Sequence, residues 1–167
     1  MHFTQFLSWL YATHFSTVIR DSVWIEPVIE TAHVLTLTLF LGFVVLLDLR
    51  LLGLVLTQRR MSHVIGQLNP WLYLAYAIML ITGILLFCGD PVSFWTTFPF
   101  KAKMVMLLLA GVNTFIFNRT VGRRVSEWDL EPKTPRAAKA AAVLSMVLWV
   151  AIITAGRAIA YVLPPPI

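Results

Sequence analysis

The sequence predicts an all-α fold: an integral membrane four-helix bundle preceded by an amphipathic helix lying in the membrane interface. Three observations carry this. Of 167 residues, 59% are hydrophobic and only 13% charged, with a mean hydropathy of +0.80; a soluble domain carries about 25% charged residues. The apolar residues gather into four runs, each long enough to cross a hydrocarbon layer of about 30 Å as a helix. The lysines and arginines sit mostly between those runs, as topology signals do. The net charge of +5 is therefore read as an orientation signal and not as a nucleic-acid footprint.

Residues 3–19 come first. Phe3, Phe6, Leu7, Leu10, Tyr11, His14, Phe15 and Val18 recur at helical spacing, while Thr4, Gln5, Ser8, Thr13, Ser16 and Thr17 lie elsewhere on the wheel. That pattern is an interfacial helix, too polar to span. Four transmembrane helices follow at about 26–50, 71–87, 100–118 and 140–162. Ser22 suits the cap region of the first, and Pro27 is tolerated in its first turn. Thr57, Gln58, Arg59 and Arg60 then break the apolar run, and 61–69 reads as a short amphipathic piece ahead of Pro70. Gly89, Asp90 and Pro91 end the second span, and a loop with Trp95, Phe98 and Pro99 follows. The connection 118–138 is basic and holds Pro132 and Pro135; Pro164, Pro165 and Pro166 close the fourth span. With no internal repeat, 1–167 reads as a single membrane domain.

Basic residues give the orientation. Arg50, Arg59 and Arg60 share one side with Arg119, Arg123, Arg124, Lys133, Arg136 and Lys139; Arg20, Lys101, Lys103 and Arg157 fall on the other. The positive-inside rule places the larger group in the cytoplasm and both termini outside, in the periplasm of a bacterial inner membrane. The N-terminus lacks the basic start and uninterrupted apolar core of a secretory signal. Cys88 is the one cysteine, which excludes an internal disulfide, a c-type haem attachment and a thiolate zinc cage within one chain.

The first span carries Glu26, Glu30 and His33, spaced four and then three, close to one helical stripe. Ionisable groups cost several kcal/mol in hydrocarbon unless they face the bundle interior, a partner or water. At ~1.5 Å per residue, His33 lies ~10 Å below Glu26, and Asp48 a further ~22 Å down. Lys101, Lys103 and Arg157 enter the same outer third from other helices, and His14 could dip into it. One imidazole, two acids and cations from two further helices at one depth are what a b-type haem asks for: an axial ligand and partners for its propionates. Each also has a plainer use, with the lysines snorkelling to the interface, Arg157 pairing Glu30, and His33 bonding a neighbouring helix. Asp48 and Arg50, two apart, do not face each other and read as a boundary feature; His63 reads as an ordinary interfacial residue.

The order of His33 and Gly42, Thr82–Gly83, Lys103 and Asn113 resembles the membrane domain of the copper-resistance D proteins. It is similar, more distantly, to the small membrane-bound haem-containing protoporphyrinogen oxidases. Glu30, His33, Val34 and the stretch Leu47–Arg50 also look like those of uncharacterised four-span bacterial domains in that group. From the oxidases the resemblance implies His33 as haem ligand and Lys103 as an essential basic residue; from the copper proteins, His33 as a metal contact. The chain lacks the later-span histidines of a bis-histidine haem, which leaves the second ligand open: His14, a residue from another chain, or none.

The expectation is thus an inner-membrane protein binding haem b and working in electron transfer or a redox step. Glu30, Lys103 and Arg157 would support the cofactor, and His33 and His14 are the candidate iron ligands. Copper handling is one alternative; a cofactor-free accessory subunit of a larger membrane complex is another. The expected partners are the lipid bilayer, a membrane redox partner or larger complex, and further copies of the chain. Neither a phosphate-cradling glycine loop nor a Ser/His/Asp spacing in a soluble region is present, which counts against a hydrolase or nucleotide enzyme.

Overall fold

A computed structural model describes residues 3–129 and 134–162; Lys133 and the proline-rich tail lie outside them. The described chain is helical throughout: α1 (Phe3–Tyr11), α2 (His14–Asp21), α3 (Ile25–Leu52), α4 (Met61–Gly89), α5 (Pro91–Thr96), α6 (Phe98–Arg119), a 3-10 turn at Gly122–Arg124, α7 (Val125–Trp128) and α8 (Arg136–Val162). Four stretches, Ile25–Leu52, Met61–Gly89, Phe98–Trp128 and Arg136–Val162, are long and apolar enough to cross a membrane. Leu35, Leu108 and Val150 are 63%, 68% and 66% exposed, so the outer surface of the bundle is apolar, as a lipid-facing surface must be.

The long helices pack as α4 on α3, α3 on α8 and α8 on α6. Their shared core is a cluster of Phe40, Ala75, Ala110, Leu148, Trp149 and Ile152, to which each long helix contributes. Phe40 and Trp149 meet edge to face with centroids 5.0 Å apart. Lipid is as apolar as leucine, so burial supplies little drive here, and packing and interhelical hydrogen bonds hold the helices together. One such bond runs from Asn113 Nδ2 on α6 to the Ala141 carbonyl on α8, at 3.0 Å.

The first span stops at Leu52 because Gly53 takes a left-handed φ of 81°, which lets its N–H reach the Arg50 carbonyl at 3.1 Å while the Leu54 N–H reaches Leu49 at 3.0 Å. The piece expected over 61–69 is instead the opening of α4, which runs unbroken through Pro70. A mid-helix proline forfeits one N–H and crowds the carbonyl four residues back, that of Gly66, yet the helix continues through it. The interfacial helix expected over 3–19 is two helices. Thr13 divides them: its hydroxyl donates to the Leu10 carbonyl at 2.7 Å and its oxygen caps α2 at Ser16 N. α2 is then pinned to the end of α4, with Ser16 Oγ and Arg20 Nη1 donating to the Gly89 carbonyl at 3.1 and 3.3 Å.

At the opposite end of α4 the cap comes from a distant residue. Arg60 supplies no capping side chain, but Asp129 accepts from Ser62 N at 3.0 Å and from the Ser62 hydroxyl. Partial burial works against the charge of Asp129. The two Ser62 bonds, with help from the Met61 backbone and Arg60, outweigh it and hold the carboxyl below its ordinary value. Beside this cap lies a second core cluster of Leu51, Met61, Trp128, Ala138 and Ala142, tying the ends of α3, α4 and α8 to α7.

Candidate functional site

His33 projects from α3 onto α4, where its Nδ1 lies 2.8 Å from Thr82 Oγ1. The Thr82 hydroxyl proton goes to its own helix, to the Ile78 carbonyl at 2.8 Å, with Met79 at 3.3 Å. With that proton committed, the threonine oxygen accepts from His33 Nδ1–H. The Met79 carbonyl is a further acceptor near the ring. With the Thr82 proton assigned to Ile78 in this way, the His33 proton is on Nδ1 and the lone pair on Nε2. An interhelical bond of this kind contributes about 0.6 kcal/mol on average to holding two helices together. Its larger effect is to fix the ring's orientation. Gly83 lies against the ring, and a Cβ there would sit 3.4 Å from His33 Cε1, an ordinary contact that a larger side chain would turn into a clash.

Lys103 comes from the start of α6 and is half-buried. Its side chain lies along α8 at Gly156, where an added Cβ would be 3.4 Å from Nζ. Its charge acts on His33, so the imidazole and the ammonium face one locality. Among the described residues no carboxylate pairs with Lys103; the one ion pair there joins Arg20 and Asp21. An unpaired cation at this depth in a bundle is costly and suits an anionic ligand group.

The other expected site residues stand apart from this pair. Arg157 is exposed and its guanidinium lies 5.3 Å from the Tyr161 ring on its own helix, with no ion pair to Glu30. Glu30 is exposed and adds to the negative field at Glu26, as does Asp90. His14 opens α2 and is exposed. Lys101 is exposed, 5.8 Å from the Trp95 ring. Thr82 and Gly83 appear in the sequence as a motif without a role, and the structure gives them one each. Gly156 carries no signal in the sequence, because only the packing of α6 on α8 brings Lys103 to it. Asp48, read from sequence as a boundary feature, is 6% exposed.

These features define a multi-pass helical membrane protein with an oriented imidazole and an unpaired cation inside one end of its bundle. Residues 8–162 match the model of a family of unknown function, DUF6644, and the chain belongs to that family. Neither the curated proteins nor the solved structures include a match.

Proposed function

We propose that this is a b-type haem-binding protein of the bacterial inner membrane, acting in electron transfer or a redox step, with both termini periplasmic. The observation that carries the reading is His33: with its Nδ1–H on Thr82, its Nε2 lone pair would be free to hold the iron. Lys103 would meet a propionate, and Gly83 and Gly156 give both side chains room against neighbouring helices. His33 would hold the iron, and Lys103 would neutralise one acid group of the cofactor. Among the described residues, His14, on α2 at the same end as Gly89, is the other histidine at that end and would be the candidate second ligand. Bound haem supplies one-electron chemistry at its iron. The chain's own part is to orient the imidazole, neutralise an acid group and surround both with hydrocarbon. Electrons would pass to a membrane redox partner or a larger complex. Copper handling has less support, because no three His, Cys, Asp or Glu side chains converge among the described residues.

The test is an absorption spectrum of detergent-purified protein, oxidised and dithionite-reduced, with a pyridine haemochrome assay. A Soret band lost in His33→Ala and weakened in Thr82→Val supports the reading; loss of a bond that orients a metal-bound histidine costs about 10–100-fold in affinity. Absence of porphyrin, or a band that survives His33→Ala, overturns it. Copper analysis of the same sample then separates metal handling from a cofactor-free role.

A further inference from the structure

Far from His33 along the same helix, a second polar group is buried without an evident structural purpose. Asp48 is 6% exposed on α3, between the two core clusters, and its Oδ2 has no hydrogen-bond partner. The Ser145 hydroxyl on α8 is near enough to the carboxyl to hydrogen-bond it, and among the described residues no charged group acts on it. Arg50, two residues along, does not turn back to it: Nε and Nη2 donate to the Arg59 carbonyl at 3.2 and 2.6 Å. Asp129, on the far side of the second cluster, is occupied at Ser62. His63 and Lys139 are exposed. A carboxylate with one hydrogen bond and no counter-charge is among the costliest groups to enclose, and an enclosed acid relieves that cost by taking a proton.

We propose that Asp48 is a proton-binding site within the membrane, a carboxylic acid that holds a proton on Oδ2 in the folded protein and releases it when the surrounding solution becomes alkaline. Only an O–H bond is made or broken, and the proton exchanges with water at the α3–α4 connection, about one helical turn beyond Asp48. The site does not depend on the haem reading, since it shares no residue with His33 or Lys103.

Infrared difference spectroscopy of the whole chain in lipid tests it, wild type against Asp48→Asn. At mildly acidic pH the wild type should show a protonated-carboxyl C=O band that the variant lacks. That band should give way to carboxylate bands as the pH is raised. Loss of carboxylate bands alone at mildly acidic pH overturns the proposal. So does a carboxylate signal that requires sodium or potassium, which assigns the site to an alkali cation. Should Asp48→Asn fail to fold, the wild type answers the question through dicyclohexylcarbodiimide, which adds to protonated carboxyls buried in membranes. Mass-mapped labelling of Asp48, weakening as pH rises, supports the site; labelling of other carboxyls with Asp48 unmodified overturns it.

Discussion

Removing the Asp129 cap tests whether a residue beyond the third span holds the second span in place. Asp129→Ala deletes the acceptor for Ser62 N and for the Ser62 hydroxyl at the start of α4. A lost N-terminal cap costs about 0.5–2 kcal/mol. A bond to a charged acceptor is worth about 1.5–3 kcal/mol where water is excluded, but Asp129 is only half-buried and solvent screens it. The expected destabilisation is therefore about 1–2 kcal/mol. Ser62→Ala, which keeps the backbone N–H bond, should cost about half as much. Because the folded carboxyl titrates below its ordinary value, its contribution is complete above about pH 4 and fades as pH falls through the folded value. Denaturant titration in detergent, followed by Trp128 fluorescence or circular dichroism, measures both effects. Asp129→Ala should fall below wild type across neutral pH, and the gap should narrow in acid. A gap that persists unchanged in strong acid, or an Asp129→Ala protein as stable as wild type, would refute the cap.

Two further substitutions probe the core and the site. Trp149→Ala should destabilise by about 3–5 kcal/mol, since it empties the centre of the bundle and removes the edge contact with Phe40; the same denaturant titration reads it. Gly83→Ala should be tolerated, because its Cβ would meet His33 Cε1 at an ordinary 3.4 Å, whereas Gly83→Leu should displace the imidazole from Thr82. A change in the His33 ring signals by NMR in the leucine variant, absent in the alanine variant, checks this.

The fold was legible in the sequence because membrane insertion is decided segment by segment. In hydrocarbon each helix must satisfy its own backbone bonds, so run length and apolar composition suffice to mark four spans. Local breaks are harder to read. Thr13 splits the N-terminal helix through its own hydroxyl, while Pro70 lies inside α4 without breaking it. His33 stood out in the sequence, being an imidazole in an apolar run. Thr82 stood there only as part of a motif with no role assigned, since a threonine in a membrane helix normally bonds its own helix. Lys103 stood out through its charge, yet only the packing of α6 on α8 laid it at Gly156 and beside His33. Arg157 and Glu30 share the same depth by counting residues, but azimuth depends on how each helix is rotated in the bundle, and both are exposed.

The sequence alone thus determined the class of protein, the number of spans and the ionisable residues that hydrocarbon makes expensive. Those properties follow from composition along a single helix. Tertiary structure alone decided which of these residues meet, which tautomer His33 adopts, and that Asp48 is enclosed while Arg157 is not. Such pairings join residues tens of positions apart, His33 with Thr82 and Ser62 with Asp129. They depend on helix rotation and side-chain fit, which the pattern of any one segment does not encode.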